Sequence, residues 1–430
     1  MPAIAEQFEF GPFHVDTTSS QLLRDGVAMK LRPQAFHVLR ALVQNSGQWI
    51  SCDRLIAEAW EGHHVSRHTV SVTVGELKNA LQEYGNWISC RPKIGYRLES
   101  PRSDELIKTG WHFWNRRTRE GFAKALECFE EAARENDSDP RAYEGIAVSW
   151  LMPGTYGMRA PREIYPKYLE AYNRAVALGG LTPELRGMHG HALHMFERKL
   201  PEAEAELLQS LEERPKSAAT YIRLAIVYAT MNRLDDALDV VNQAHKADPL
   251  WPLWPATEVI IRFCRREFDE AARCVKKALE LHPYLLLGRA FCAQALEYAG
   301  KKDEALEQYR FARVVYPDIA WLGALEATCL ARNGRQKEAR KILEELQQRR
   351  KKEYVDAYYM TLLMEALGKR DDAFKELARA IDENSASLYI LDVDPQMDSL
   401  RGDARFARLR ILLQAGSPNV SAGLQVPDYM

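Results

Sequence analysis

The sequence predicts two domains of different fold class, a small α+β domain followed by an all-α solenoid of helical repeats. Three observations lead to this prediction. The chain has 430 residues, and a single hydrophobic core stops growing at roughly 250–300 residues. Residues 8–99 mix short alternating apolar runs with helical ones. From about residue 104 the strand patterns end, and a small residue recurs every 34 positions.

The composition is that of an ordinary folded protein with no global attraction to polyanions. Hydrophobic residues make up 46% of the chain, and the 58 Lys and Arg residues against 60 Asp and Glu give a net charge of −2. Binding to nucleic acid would therefore need a local patch. The sequence contains neither a transmembrane run nor a signal peptide pattern. Seven cysteines without a CxxC pair indicate reduced thiols and a cytoplasmic location.

Strand and helix signals follow one another through the first hundred residues. Two short strands, QLLR and VAMKL, meet at Asp25-Gly26, a strong tight-turn dipeptide. Pro33 then begins a first helix, while Ser51 and Ser66 are suitable N-caps for a second and a third. A basic hairpin at residues 91–95 ends the domain. The predicted order is strands, three helices and a hairpin.

The third helix has one apolar face and one polar face. Val70, Val74, Leu77 and Leu81 recur at helical spacing and predict the buried side. The opposite side is predicted to expose Arg67, His68, Ser71, Val72, Gly75, Lys78 and Asn79.

The second domain is a regular repeat. Alanines recur at intervals of 34 residues, at positions 203, 237, 271, 305, 339 and 373. A large apolar residue follows four positions later and prolines lie at 215, 249, 283 and 317, which is the pattern of tetratricopeptide repeats. We expect about eight repeats over residues 104–387, a capping segment at 388–414 and a disordered tail at 415–430.

Several motifs in residues 1–100 resemble the OmpR/PhoB-type winged-helix DNA-binding domain, most closely its CadC/ToxR/HilA-like subset. The motifs that carry this resemblance are Phe10-Gly11-Pro12-Phe13, Gly47-Gln48-Trp49-Ile50-Ser51, Glu76-Leu77-Lys78-Asn79-Ala80-Leu81 and Pro92-Lys93-Ile94-Gly95-Tyr96-Arg97. No receiver domain precedes them, so we expect no phosphoaspartate switch. The residues from 104 onward look like the tetratricopeptide region found behind such domains in soluble bacterial regulators.

The resemblance implies DNA binding as the activity of the first domain. In such domains the third helix enters the major groove, and the hairpin is the wing that contacts the DNA beside it. The DNA-binding residues that it implies are Arg67, His68, Ser71, Val72, Lys78, Asn79, Arg91 and Lys93. In some relatives the loop corresponding to His63-His64 contacts RNA polymerase, and binding to direct repeats would pair two copies of the chain.

The charge of the first domain keeps a second function open. Residues 1–100 contain ten basic and ten acidic residues, so their net charge is zero. A domain with so little excess charge should bind non-specific DNA weakly. One hypothesis is therefore a one-component transcriptional regulator. The alternative is a scaffold protein in which both domains bind other proteins.

The repeats should present an apolar concave face. The positions that line this face in tetratricopeptide units are occupied by the partner-groove residues Met188, Met195, Ile222, Ile226, Ile260 and Phe263. An exposed apolar surface of this size usually has an occupant. That occupant could be an apolar or helical peptide, a second copy of the chain, or another part of the same chain.

No motif for catalysis, metal or cofactor binding emerges. The sequence has no phosphate loop, HExxH motif or nucleophile elbow. His189, His191 and His194 cluster on one predicted helix, where His191 takes a core position. A core histidine is the commoner explanation, so we expect no metal site, no cofactor and no enzymatic activity.

Overall fold

The computed structural model describes residues 7–17, 19–24, 26–60, 65–98, 102–281 and 283–414. The chain divides into two compact units, residues 1–112 with 127–138 and residues 113–126 with 139–430. Asp25 of the expected turn, the His63-His64 loop, much of the Ser100–Ser103 linker and the tail at 415–430 lie outside the described residues.

The first unit begins with a four-stranded antiparallel sheet in the order β1-β2-β3-β4. Its strands are β1 (Gln7–Phe10), β2 (Phe13–Asp16), β3 (Gln21–Arg24) and β4 (Val27–Met29). Phe10, Phe13, Val15 and Leu22 point from this sheet into the core. A separate hairpin of β5 (Ile88–Arg91) and β6 (Gly95–Leu98) forms the wing.

Three helices lie between the sheet and the wing, as the sequence predicts. They are α1 (Pro33–Gln44), α2 (Cys52–Ala59) and α3 (Arg67–Ala80). The hydroxyl groups of Ser51 and Ser66 accept hydrogen bonds of 3.2 Å from the backbone N–H groups of Arg54 and Thr69. Both predicted N-caps are therefore confirmed. A 3-10 turn at Gln82–Trp87 joins α3 to the wing.

The first compact unit extends beyond the predicted boundary at residue 100. Helix α4 (Arg102–Trp114) starts within the predicted linker, and its residues Ser103 and Asp104 are buried. Gly11 has a φ of +55°, and a Cβ added there would lie 2.6 Å from the Trp87 ring and 3.5 Å from an Asp104 carboxylate oxygen. This close approach places the start of α4 against the N-terminal sheet and the 3-10 turn. A composition-based boundary does not register such a contact.

Sixteen helices, α4 to α19, follow one another in the described part of the chain as eight pairs of consecutive helices. Beyond α4 they are α5 (Arg119–Glu135), α6 (Pro140–Thr155), α7 (Pro161–Gly179), α8 (Pro183–Ala192), α9 (Leu200–Glu213), α10 (Ala218–Thr230), α11 (Leu234–Ala247), α12 (Trp254–Cys264), α13 (Phe268–Leu281), α14 (Leu286–Tyr298), α15 (Lys302–Val315), α16 (Ala320–Arg332), α17 (Gln336–Arg349), α18 (Ala357–Ala366) and α19 (Arg370–Asp382). All six periodic alanines are fully buried. Their small side chains permit close packing of neighbouring helices.

The turn inside each of the eight pairs contains one residue in the left-handed backbone region. Four of these are glycines, which adopt that region at little cost. The φ values lie between 54° and 79° at Arg117, Gly157, Arg198, Asn232, Arg266, Gly300, Gly334 and Gly368. From Arg198 onward the interval is again 34 residues.

Early and late repeats of the second unit contact each other through hydrogen bonds. The indole N–H of Trp321 donates a 2.9 Å hydrogen bond to the carbonyl of Tyr156. The Arg119 guanidinium donates one of 3.2 Å to the carbonyl of Asp318. These contacts join residues that are 165 and 199 positions apart.

A closing segment, residues 384–401, follows the last repeat and packs against the start of its first helix, α18. It contains 3-10 turns at Ala386–Ile390 and Pro395–Met397 and the short helix α20 (Asp398–Arg401); α21 (Ala404–Gln414) comes next. The first of these turns contacts α6, α10 and a π-helical turn at Leu193–Glu197.

Two buried aspartates hold the closing segment in place. The Asp356 carboxylate accepts hydrogen bonds of 2.7 and 2.8 Å from the hydroxyls of Ser385 and Ser387. Asp394 accepts one of 2.7 Å from the Tyr358 hydroxyl. In the described part of the chain, no helix is long and apolar enough to cross a membrane.

Candidate nucleic-acid interface

Helix α3 presents its polar face to solvent, as its sequence pattern predicts. Val70, Val74 and Leu77 are buried in the core of the first unit. Arg67, His68, Ser71, Val72 and Asn79 are exposed, and Lys78 is half-buried. Val72 is the apolar exception on this face, and it is 46% exposed. An exposed apolar group on a polar helix face suits contact with a thymine methyl group.

The wing is held against the rest of the unit by its backbone. The N–H and carbonyl groups of Tyr96 form hydrogen bonds of 2.9 and 2.8 Å with those of Ile50. Gly95, at a φ of +139°, approaches so closely that an added Cβ would lie 1.9 Å from the Ile50 carbonyl oxygen. Any larger residue at this position would lift the wing.

The tip of the wing carries exposed cations. Arg91 and Lys93 are exposed, and Lys93 has a φ of +65° in the turn. The guanidinium groups of Arg91 and Arg97 lie 5.4 and 4.7 Å from the centre of the Trp49 ring. Trp49 thus contacts both arginines through cation–π interactions. These contacts leave the charge of Arg91 available to a phosphate.

A side-chain contact joins the helix to the wing. Burial raises the pKa of the Tyr96 phenol, and the nearby Ser71 hydroxyl of α3 lowers it to a smaller extent. Ser71 is exposed, so its hydroxyl is available to a base edge.

The acidic residues of the first unit partly neutralise its cations. An Asp53 carboxylate oxygen lies 3.0 Å from the Arg67 guanidinium, and both side chains are more than two thirds exposed. Arg32 likewise pairs with Glu76. Among the described residues no carboxylate lies within ion-pair distance of Lys78, so this cation is available to a phosphate without an exchange of partners.

The predicted partner groove is not an open surface, and this expectation is corrected. Five of its six residues are buried and Ile226 is half-buried; the buried ones are Met188, Met195, Ile222, Ile260 and Phe263. The turn at Ala386–Ile390 covers α10 and the π-helical turn. Phe263 is enclosed by the rings of Phe268 and Tyr298, whose centres are 5.6 and 5.0 Å away. The Ala386–Ile390 turn thus covers part of the inner face at α10, whereas side chains of the repeats themselves enclose Phe263.

The three histidines of the third repeat bind hydroxyl groups. His189 Nδ1 lies 3.2 Å from the Tyr168 hydroxyl, His191 Nε2 lies 3.0 Å from that of Thr155, and His194 Nε2 lies 2.7 Å from that of Thr230. Burial lowers the pKa of all three. His194, not His191, is the fully buried one. Within the described residues no group of His, Cys, Asp or Glu side chains could hold a metal ion.

Sequence reasoning missed three groups that shape the candidate sites. Asp53 pairs with Arg67, Trp49 supports the wing arginines, and Arg198 lies where the last three repeats have glycine. The pairing and the support depend on contacts across the fold, for which the sequence has no signal. Arg198 had a signal in the 34-residue period, because glycines occupy the equivalent positions 300, 334 and 368.

Comparisons with known proteins agree with both parts of the structure. Residues 26–98 match the family described as transcriptional regulatory protein, C terminal. Residues 193–250 and 293–354 match the tetratricopeptide repeat family.

Individual relatives match about a fifth of the chain. The transcriptional activator CadC of Escherichia coli (strain K12) is 30% identical over 95 residues, which are 21% of this chain and 19% of CadC. The transcriptional regulatory protein CutR of Streptomyces coelicolor is 32% identical over 85 residues, 20% of this chain and 39% of CutR. The solved DNA-binding domain of E. coli CadC is 28% identical, with a TM-score of 0.21, and covers 23% of this chain and 96% of that domain. The chain therefore spans well under half the length of these curated relatives.

These findings identify the two parts of the chain. An OmpR/PhoB-type winged-helix domain of bacterial transcription regulators is followed by a tetratricopeptide-repeat solenoid.

Proposed function

We propose that this chain, a winged-helix domain of transcription regulators joined to tetratricopeptide repeats, is a one-component bacterial regulator that binds promoter DNA. The observation that carries the proposal is the polar face of α3, which is exposed beside a basic wing in the domain that matches the regulator family. The repeats would receive the signal or partner that controls it.

The exposed residues divide into two roles on DNA. Ser71 and Asn79 carry groups that can hydrogen-bond base edges, and Val72 offers a methyl contact. Arg67 and Lys78 on the helix, with Arg91 and Lys93 on the wing, would bind phosphates. His68, at the start of α3, can donate to a phosphate or a base edge.

The electrostatics favour specific over non-specific binding. The zero net charge of residues 1–100 and the Arg67–Asp53 pair leave few uncompensated cations. A phosphate must therefore replace Asp53 at Arg67, which makes contact with DNA backbone alone weak. Two copies bound head-to-tail on direct repeats would double the base contacts and supply the missing affinity.

The test is selection of random double-stranded DNA with the full chain. We expect recovery of a motif present as a direct repeat. Ser71→Ala should change the recovered motif, whereas Lys30→Ala, a substitution of an exposed lysine after β4, should leave it unchanged. Recovery of random sequence by a folded protein would contradict the proposal.

The scaffold function remains the second candidate because one observation favours it. An arginine already paired with an aspartate, in a domain of zero net charge, also suits a protein-binding surface. A scaffold would give no DNA motif in the selection and no salt-dependent DNA binding, and it would bind a protein through the same α3 face.

The partners of the repeats are also a matter of proposal. A protein partner, which the repeat family suggests, would have to use a surface other than the covered inner face. Contact of the His63-His64 loop with RNA polymerase and pairing of two chains stay hypotheses. Sedimentation with and without the selected DNA tests the pairing, because a direct repeat should recruit two chains.

A further inference from the structure

A cavity of about 460 Å³ lies in the second unit, where the closing segment meets the third and fourth repeats. Its walls come from the π-helical turn and the start of α9, the end of α10, the closing segment and the end of α21. A volume of this size is within the range of small-molecule sites. Its residues are distant in sequence, so the cavity exists only when the closing segment is docked.

Two arginines in this cavity lack an acidic partner. The cavity is lined by three arginines and two acidic residues. Arg410 pairs with Asp392 at 3.0 Å, and Glu197 lies 2.5 Å from the Lys199 ammonium group. Among the described residues no carboxylate lies within ion-pair distance of Arg162 or Arg198. The cavity therefore has an uncompensated positive charge.

Arg198 is the more unusual of the two. Its Nη2 atom donates hydrogen bonds of 2.9 and 3.3 Å to the Asn384 side-chain oxygen and the Ser385 carbonyl, which are neutral acceptors. Its Nε and Nη1 atoms donate to no described residue. Burial lowers the pKa of the Arg198 guanidinium to about 10. Arg198 is half-buried, and an anion would stabilise a partly desolvated cation that has no counter-ion.

The backbone at Arg198 is irregular as well. Arg198 has a φ of +55°, in the turn position that Asn232 and Arg266 occupy in the next two repeats and that glycines occupy in the last three. A non-glycine residue in the left-handed region is strained. The preceding π-helical turn at Leu193–Glu197 is a second irregularity of the kind that is frequent at functional sites.

Apolar groups complete the cavity. Phe196, Leu388 and Leu391 lie in its wall with less than a tenth of their surface exposed. Tyr389 adds an aromatic ring, whose edge-on contact with His194 fixes its position at a centre distance of 5.8 Å. A ligand of this cavity would therefore combine an anionic group with an apolar body.

We infer that this cavity binds a small amphiphilic carboxylate, with the carboxylate at Arg198 and Arg162 and the apolar body against Phe196, Leu388 and Tyr389. Guanidinium groups form charge-assisted hydrogen bonds with carboxylates. A monoanion matches the single net positive charge of the lining residues. A dianionic phosphate would leave excess negative charge beside Asp392 and Glu197.

Binding should stabilise the docked closing segment, because the ligand requires walls from both sides of the cavity. The interpretation of this ligand as the regulatory signal rests on the proposed function. Binding of the ligand to the cavity does not depend on that function. An experiment can therefore reject either claim without rejecting the other.

The experiment measures binding to the full chain by calorimetry, with 3-phenylpropanoate as the probe. For a ligand of this size we expect a dissociation constant of about 0.1–1 mM. The neutral 3-phenylpropanamide and inorganic phosphate should each bind at least about tenfold more weakly. Equal binding of the amide, or tighter binding of phosphate, would overturn the carboxylate assignment. An absence of binding at about 10 mM would overturn the site.

Matched variants locate the site. Arg198→Gln should weaken binding at least about tenfold. Arg117→Gln should leave it unchanged, because Arg117 occupies the same turn position in the first repeat, has a φ of +54° and lies over the Trp114 ring, outside the cavity. Arg162→Gln changes an exposed residue and should weaken binding several-fold, so the site stays testable if Arg198→Gln does not fold. Unaltered affinity in Arg162→Gln and in a folded Arg198→Gln contradicts the site.

A final measurement separates ligand binding at the cavity from a regulatory effect of that ligand on DNA affinity. DNA affinity of the full chain is measured with and without 3-phenylpropanoate. Binding to the cavity without an effect on DNA affinity would remove the signalling role of this ligand and leave the site. Failure to bind any DNA would instead count against the proposed function.

Discussion

The α3 surface of the first unit and the inner face of the repeats use apolar residues in different ways. Helix α3 buries Val70 and Leu77 in a core made by its sequence neighbours, which leaves its polar face free. The inner face of the repeats is apolar itself and is covered by residues from far along the chain, as the Arg198–Asn384 contact across 186 positions shows. The polar face of α3 therefore stays exposed, while the repeats enclose a cavity with charged and apolar walls.

The largest expected loss of stability follows from a substitution that releases the closing segment from the inner face. Asp356→Ala removes the acceptor for the Ser385 and Ser387 hydroxyls and leaves buried donors without partners. We expect a loss of about 2–4 kcal/mol in the free energy of unfolding, measured by urea denaturation. Hydrogen exchange should accelerate in α10 and the closing segment.

A matched control is Asp235→Ala, because this aspartate is 88% exposed and pairs only on the surface with Arg265. It should change stability by less than about 0.5 kcal/mol. Comparable losses in the two variants would mean that the aspartate network does not hold the closing segment.

A smaller effect is expected from a helix–helix contact of the repeats. Ala305 is fully buried between helices, so Ala305→Leu should overpack the contact and cost about 1–3 kcal/mol. The exposed Ala28 of β4 offers a control substitution in the other unit. An unchanged thermal midpoint in Ala305→Leu would argue against the packing role of the periodic alanines.

The pH dependence of stability should report a buried acid in α6. Burial raises the pKa of Glu144 to about 7, above the ordinary value of 4.5. Between these values the folded chain binds a proton that the unfolded chain has released, so this group lowers stability as pH rises through about 5–7. Glu144→Gln should raise the thermal midpoint at pH 8, by an amount equivalent to about 1–2 kcal/mol, and much less at pH 4. Equal shifts at both pH values would contradict this.

The smallest expected effect is a change in DNA affinity caused by a substitution beside the α3 surface. Asp53→Asn removes the partner of Arg67 and one negative charge beside the proposed DNA face. Because exposed ion pairs contribute less than about 1 kcal/mol, we expect DNA affinity to rise about two- to fivefold at low salt. Fluorescence anisotropy measures this, with Asp16→Asn, at the far end of β2, as the charge-matched control.

The sequence predicted the helices of the first unit and the repeat period because both depend on local signals. Ser51 and Ser66 are N-caps through contacts three residues away, and the buried alanines follow from their spacing. The occupant of the inner face depends on which distant segment returns to it. The periodic pattern identified an apolar face and left open whether it is exposed. The start of α4 shows the same limit, since its packing near Gly11 spans almost the whole first unit.

The double variant Arg67→Ala/Lys78→Ala is the sharpest test of DNA binding by α3 and its wing. DNA affinity of the full chain is measured by anisotropy across a salt series, beside Lys30→Ala as the control. We predict at least about tenfold weaker binding by the double variant, with the slope of log affinity against log salt reduced by about 2. Affinity and slope equal to those of the parent protein would contradict the claim and favour the scaffold function.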